Sequence, residues 1–290
     1  MDDVVYSDNS RMMHEKVDVV ELSPGVILDK IQPGGKMGPG DIVMRPVRGG
    51  QVWSDSWVLG AESDEFQLRV PDIRCAFNQY YPLHYHGCWI AVVILDGTML
   101  IGDWWMQPGD VLVAAADLEY GPVLFGPQGC QLFEIFAKDH LALGGYAKEY
   151  HDHPTLVLQE IPAEFIERTP INQRNDGNQV LPNAGVPGLT TGTLEPGRVW
   201  DLGELDDPDR GAFKTTVMVP GEQRPAHSYS DWHGIFILEG GLSIGARNLA
   251  KNDVLIISRD APVAQLTASG SGAKLLEVAR TIRGLEPKMA

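Results

Sequence analysis

The sequence predicts an all-β protein that contains the same small barrel or sandwich twice. Three observations support this prediction: a segment repeats along the chain, each copy consists of short apolar stretches separated by turn residues, and the composition is typical of a globular protein. Of the 290 residues, 43% are hydrophobic and 21% are charged. A chain of this length can form one large domain or two of ordinary size, and the repeat favours two.

The repeat is clearest in "VVILDGTMLIG" (92–102) and "FILEGGLSIG" (236–245), which align at an offset of 143 residues. The same offset relates further landmarks in the two copies. These pairs are His84 with His227, Gly97 with Gly240, Gly102 with Gly245, Asp110 with Asp253 and Glu134 with Glu277. Several landmarks in one register indicate a duplication.

Each copy contains stretches of four to eight residues rich in Val, Ile, Leu and Phe, bounded by Gly, Pro and Asp, which predict short strands. Asp96-Gly97 favours a tight hairpin, because this dipeptide readily takes the positive φ of two-residue hairpin turns. We therefore expect an N-terminal extension (1–44), a first barrel (45–137), a partly helical connector (138–184), a second barrel (185–282) and a C-terminal tail (283–290).

The charge balance and the lack of long apolar spans exclude several kinds of partner. With 39 acidic and 23 basic residues, the net charge is −16, and no basic run offers a surface for nucleic acid. No 18-residue apolar span predicts a membrane helix, and the first residues lack the pattern of a signal peptide. Three cysteines without paired spacing do not indicate a disulfide framework. We expect a cytoplasmic protein with no membrane partner.

In the first copy "HYH" (84–86), Gly97, Gly102 and "PGD" (108–110) fall in a pattern that resembles the motifs of the cupin superfamily. The resemblance extends over roughly 45–137 and 185–280 and implies two cupin-type jelly-roll β-barrels in tandem, a bicupin. It also implies a metal held by three histidines and one glutamate.

Both copies depart from that ligand pattern. In the first copy Ile90 stands at the glutamate position and Tyr120 at the position of the last histidine. In the second copy Tyr229 replaces the second histidine, and the last two positions hold His233 and Val263. Neither copy has the complete set, so the resemblance alone does not bring a metal with it.

The first copy offers the stronger candidate site. His84 and His86 are two residues apart on a predicted strand, so both side chains point to the same face. Two neutral imidazoles can bind a divalent transition metal, and either Tyr120 or Glu134 is a candidate to complete or tune the site. Glu134 lies in apolar "QLFEIF", where an ionised carboxylate is costly unless it is paired or coordinated. The alternative is that the two histidines are hydrogen-bonded pocket residues.

In the second copy His227, His233 and Glu277 are candidate ligands of a second metal. The alternative is a degenerate barrel that serves packing or dimerisation. The shared position of Glu134 and Glu277 also favours a structural role for both carboxylates.

These observations favour a metal-dependent enzyme acting on a small organic molecule. From the resemblance, an Fe(II) dioxygenase working in the first barrel is the leading hypothesis, with Mn, Ni or Zn as alternative metals. A metal-assisted lyase or isomerase remains open, as does a small-molecule-binding protein without catalytic activity, since the fold alone does not decide between them. The duplication further suggests that the two halves pack as an internal pseudo-dimer. Association of two chains into a homodimer stays open.

Overall fold

The computed structural model describes residues 20–30, 51–61, 64, 67–75, 80–81, 84–101, 104–118, 120, 123–137, 143–146, 188–204 and 210–289. For His84 the description covers the backbone alone. Within these ranges the chain is almost entirely β-strand, and one short 3₁₀ helix (Ile282–Leu285) is the only helical element. The all-β prediction is therefore confirmed. No helix in the described ranges is long and apolar enough to cross a membrane.

The first eleven strands precede the connector or lie in its first residues. They are β1 (Val20–Ser23), β2 (Val26–Lys30), β3 (Gln51–Leu59), β4 (Leu68–Cys75), β5 (Tyr80–Tyr81), β6 (His84–His86), β7 (Ile90–Ile101), β8 (Trp104–Met106), β9 (Asp110–Ala114), β10 (Val123–Phe136) and β11 (Leu143–Tyr146). The remaining strands are β12 (Leu189–Thr193), β13 (Val199–Leu202), β14 (Gly211–Met218), β15 (Gln223–Arg224), β16 (His227–Tyr229), β17 (His233–Ile244), β18 (Arg247–Ala250), β19 (Asp253–Ile257), β20 (Leu266–Ala279) and β21 (Pro287–Met289).

Two large antiparallel sheets give the two barrels. The first sheet has the order β12-β9-β7-β10-β4-β3, with β5 and β8 paired at its side, and the β6–β11 pair accompanies it; this group is called barrel 1. The second has the order β1-β2-β19-β17-β20-β14-β13, with β15 and β18 at its side and the β16–β21 pair; this group is barrel 2. Equivalent strands pair in equivalent registers: Glu134 lies opposite Val92, and Glu277 lies opposite Ile235, so that an offset of 143 residues relates the second pair to the first.

The predicted hairpin at Asp96-Gly97 is wrong. The chain continues through these residues as the single strand β7, which is irregular in its pairing with β10 near this point. Gly97 has φ +75°, and a Cβ there would lie 2.1 Å from the carbonyl oxygen of Gly129. Gly240 repeats the arrangement against Gly272 in barrel 2. The positive φ that suggested a turn is used instead for an irregularity that brings two strands very close together.

Each barrel receives a strand from the segment that precedes the other one. Strand β2 pairs with β19 of barrel 2, and Val26 lies opposite Ile257. Strand β12 pairs with β9 of barrel 1, and Leu189 lies opposite Ala114. These exchanged strands cover the edges that β9 and β19 would otherwise expose.

The three largest apolar clusters among the described residues form most of the core. One lies within barrel 1, one lies within barrel 2, and the third contains residues of both barrels and joins them. Trp57, Phe133 and Phe236 meet in the joining cluster, with ring centroids 5.0–6.2 Å apart. The two halves thus pack as the internal pseudo-dimer that the duplication suggests.

The predicted helical character of the connector is not supported. Within 138–184 the described residues are 143–146, which form strand β11 against β6. The rest of the connector lies outside the described residues, and the domain boundaries stay a prediction.

Candidate functional site

In barrel 1 the structure brings His86 and Tyr120 together. Their rings are stacked with centroids 5.9 Å apart, and the Phe136 ring meets His86 edge-on at 5.3 Å. His86 and Tyr120 are almost fully buried, at 4% and 2% exposure. His84 pairs through its backbone with Tyr146, but its side chain lies outside the described residues. The predicted two-histidine pair therefore stays a prediction.

Glu134 belongs to the same interior. It alternates on β10 with Leu132 and Phe136, which are members of the barrel 1 core, so its side chain points to that face. Burial raises the pKa of Glu134 to about 7, although the residue as a whole keeps some exposure. Burial, together with the nearby Glu134 carboxyl and Cys88, raises the pKa of the Tyr120 phenol well above its ordinary value. Within the described part of the chain, no hydrogen bond or ion pair compensates this carboxyl.

Barrel 2 holds the equivalent carboxyl in a different environment. Arg224 donates from Nη1 to Oε2 and from Nη2 to Oε1 of Glu277, both at 2.9 Å, and Thr216 donates to Oε1. Glu277 is completely buried. Burial alone would raise the pKa of Glu277, but hydrogen bonds and charge from His233 and Arg224 outweigh it and hold the pKa well below its usual value.

Tyr229 and His233 complete this network. Their rings stack in parallel with centroids 3.7 Å apart, and Arg224 also donates to the Tyr229 hydroxyl at 2.9 Å. An acceptor oxygen faces each ring nitrogen of His233. The carbonyl oxygen of Gly284 lies 2.9 Å from Nδ1, and Oε2 of Glu277 lies 3.1 Å from Nε2. His233 is thus fixed as a structural neighbour of the Glu277 carboxylate.

His227 is different because one of its ring nitrogens has no hydrogen-bond partner among the described residues. Its Nδ1 lies 2.7 Å from the carbonyl oxygen of Pro225, a contact that places the ring proton on Nδ1. Its buried Nε2 has no hydrogen-bond partner in the described part of the chain. Burial and the charge of Arg224 lower the pKa of His227, so the neutral ring presents a free lone pair at Nε2.

The two copies differ at the position of Arg224, the cationic residue beside Glu277. Arg224 lies opposite Leu266, and in the same register of barrel 1 Tyr81 lies opposite Val123. Ile73 and Ile90 stand at the positions of Thr216 and His233. Every residue type that holds Glu277 in barrel 2 is therefore replaced in barrel 1.

Sequence reasoning missed Arg224 and Thr216. A signal was available, because a carboxylate inside the apolar "LLEVA" requires a cation or several donors, and Arg224 is the basic residue closest to "HSY" (227–229) on its N-terminal side.

The donor side chains of barrel 1 suit a divalent metal, whereas those of barrel 2 do not. In barrel 1 an imidazole, a phenol and an uncompensated carboxyl lie in one interior, and this donor set suits such an ion. In barrel 2 the carboxylate is already occupied on both oxygens by a guanidinium, so His227, His233 and Glu277 as arranged do not fit a metal. Among the described residues, neither barrel contains a group of three or more His, Cys, Asp or Glu arranged to hold a metal, and the side chain of His84 is not one of the described groups.

No family model and no curated protein sequence matches the chain. Solved structures do match. A candidate dioxygenase from Nostoc punctiforme is 10% identical with a TM-score of 0.54, and the match covers 97% of this chain and 84% of that one. Oxalate decarboxylase from Lactobacillus farciminis, solved with formate, is 15% identical at TM-score 0.49, covering 96% and 89%. A pirin from Escherichia coli solved with nickel(II) is 12% identical at TM-score 0.43, covering 81% and 93%. At such identities the likeness shows the fold alone, and the first of these matches agrees with two cupin-type jelly-roll β-barrels in tandem.

Proposed function

We propose that this bicupin is a metal-dependent enzyme whose working site lies in barrel 1 and acts on a small organic molecule. The observation that carries the proposal is the interior of barrel 1, where His86, Tyr120 and Glu134 share one buried face and the carboxyl has no counter-charge from the described residues. An isolated buried carboxylate is costly, and a divalent cation would compensate it.

Imidazole and carboxylate donors together suit Fe, Mn, Ni and Zn. His86, Glu134 and the side chain of His84 would hold the ion, and Tyr120 would lie beside it. An arrangement of two histidines and one carboxylate is used by non-haem iron oxygenases, so an Fe(II) dioxygenase is the reaction class we favour. When bound, the metal would orient a chelating substrate and supply the reactivity towards O₂.

The protein's own residues prepare the site in three ways. The Tyr120 phenol stays protonated because its pKa is raised, so it can donate a hydrogen bond to a substrate oxygen. Without a cation, Glu134 is partly protonated near neutral pH because burial raises its pKa to about 7, and a bound cation would displace that proton. The apolar residues of barrel 1 exclude water, which strengthens every polar contact inside.

Metal analysis of the purified protein tests the proposal, after anaerobic incubation with Fe(II) and with Mn(II), Ni(II) or Zn(II) in parallel. We expect about one ion per chain, lost in the His84→Ala/His86→Ala double variant and in Glu134→Gln. The matched control is His227→Ala/His233→Ala, in which the ion should remain.

Consumption of O₂ with small chelating substrates then tests the dioxygenase reaction. A stoichiometric metal without O₂ consumption would favour lyase or isomerase chemistry at the same site. Failure to bind any of the four metals would refute the proposal and leave barrel 1 as a small-molecule-binding barrel.

A further inference from the structure

We infer that Arg224 is the built-in cation of barrel 2, and that its guanidinium on Glu277 keeps a divalent metal from this carboxylate. The inference concerns barrel 2 and does not depend on the function proposed for barrel 1. It disagrees with the metal site that the sequence suggests for the second copy.

The first step is the occupation of the carboxylate. Both oxygens of Glu277 receive a hydrogen bond from the guanidinium at 2.9 Å, a fork geometry that leaves no oxygen free of Arg224. The Arg224 side chain is only 16% exposed and that of Glu277 only 1%, so the pair is held inside the barrel rather than at its surface. A divalent ion bound at this carboxylate would have to displace the guanidinium or lie beside a like charge in a poorly solvated interior.

The second step concerns the two histidines of barrel 2, each of which has its Nδ1 held by a backbone carbonyl. His227 has its Nδ1 proton directed to Pro225, which leaves Nε2 as a buried lone pair without a partner in the described chain. This is the arrangement of a metal-ligating histidine, whose second nitrogen is held by a backbone carbonyl. His233 likewise has Nδ1 fixed by the carbonyl of Gly284 and Nε2 directed to Glu277. Both imidazole rings also lie against the ring of Tyr229, whose hydroxyl accepts a hydrogen bond from Arg224, so the two histidines belong to the network that the guanidinium holds.

The third step is the contrast with barrel 1. The register that places Arg224 in barrel 2 places Tyr81 in barrel 1, where Glu134 has no cationic partner from the described residues. The chain therefore carries one carboxylate with a guanidinium beside it and one, Glu134, that has no cationic partner among the described residues.

Removal of the guanidinium tests the inference. Arg224→Met should gain about one equivalent of Zn²⁺ per chain relative to the parent protein, measured by equilibrium dialysis and elemental analysis. The gain should disappear in Arg224→Met/His227→Ala. Arg224→Lys is the matched control, because it keeps the positive charge and should gain no zinc. Since the readout is a difference from the parent, it is valid whether or not barrel 1 binds a metal.

Stability gives a second readout, because zinc should raise the melting temperature of Arg224→Met and leave that of Arg224→Lys unchanged. Three results would overturn the inference. The first is loss of a metal from the parent protein when His227 and His233 are replaced. The second is an Arg224→Met variant that folds but binds no additional zinc. The third is an Arg224→Met variant that stays unfolded both with and without zinc, because a metal would then not replace the guanidinium.

Discussion

Replacing Glu277 by Gln should destabilise the protein strongly, because it leaves a charged guanidinium inside barrel 2 without its counter-charge. Glu277 is 1% exposed and Arg224 is 16% exposed, so water can replace only a small part of the lost interaction. Removing one partner of a buried pair costs about 3–5 kcal/mol. Partial hydration of Arg224 places our expectation at about 3 kcal/mol, a large share of the roughly 5–15 kcal/mol that stabilises a typical domain.

The assay is urea unfolding of the parent and of Glu277→Gln, followed by circular dichroism. The matched control is Glu239→Gln, which removes an exposed carboxylate 3.4 Å from Lys274 and should change the free energy of unfolding by less than about 1 kcal/mol. A double variant, Arg224→Met/Glu277→Leu, removes both charges and should be more stable than Glu277→Gln. A loss below about 1 kcal/mol in Glu277→Gln would refute the assignment of a buried, mutually dependent pair.

The difference in stability between the parent and Glu277→Gln should depend on pH, and the direction follows from the pKa of Glu277. The folded-state pKa of Glu277 lies well below its usual value, so the carboxylate contributes stability above the unfolded-state pKa. That contribution is lost as the pH falls through the folded-state pKa. The difference between the parent and Glu277→Gln should therefore be full at neutral pH and should shrink in strong acid.

Three further predictions test other parts of the structure. In metal-free protein the pKa of Glu134 is about 7 when folded against 4.5 for the ordinary group, so ionisation opposes folding as the pH rises. Glu134→Gln should be more stable than the parent by about 1–3 kcal/mol at pH 8 but not at pH 4, and lower stability at pH 8 would show that a partner holds the carboxylate. Gly97→Ala should lose at least about 2 kcal/mol in urea unfolding, because φ is +75° and the new Cβ would lie 2.1 Å from the Gly129 oxygen. Gly109→Ala, with φ +92° and open space around it, should lose only about 1 kcal/mol, and equal losses would contradict the steric account. Phe236→Ala should cost about 3–5 kcal/mol and lower the stability of both barrels together, whereas two separate unfolding transitions would argue against a shared core.

The duplication made the fold predictable. A common offset and the alternation of apolar residues indicated both barrels and placed Glu134 and Glu277 at equivalent positions, as the strand registers show. The hairpin at Gly97 failed for a specific reason. Positive φ is shared by turns and by irregular strand pairing, and only the partner strand, which is remote in sequence, decides between them.

The candidate site was predictable in its residue types but not in its chemistry. Spacing singled out His227, His233 and Glu277, but it could not show that Arg224 lies against that carboxylate. Strand β15, which carries Arg224, has only two residues, too few for a periodic pattern to predict which way its side chains point. The exchange of β2 and β12 was equally hidden, because the common offset that relates the barrels does not extend to these segments.

That exchange has a consequence for how the chain is made. Val26 pairs with Ile257, which follows it by 231 residues, so β2 leaves the ribosome long before its partner strand exists. At about 5–20 residues per second, the delay is roughly 10–50 seconds. Strand β12, by contrast, emerges after β9 and can complete barrel 1 at once. The edge of β2 that faces β19 must therefore stay unpaired while barrel 1 forms, and barrel 2 closes only after β19 has been made. A nascent chain interrupted before Asp253 would expose this edge of β2, where a chaperone or another copy of the chain could pair.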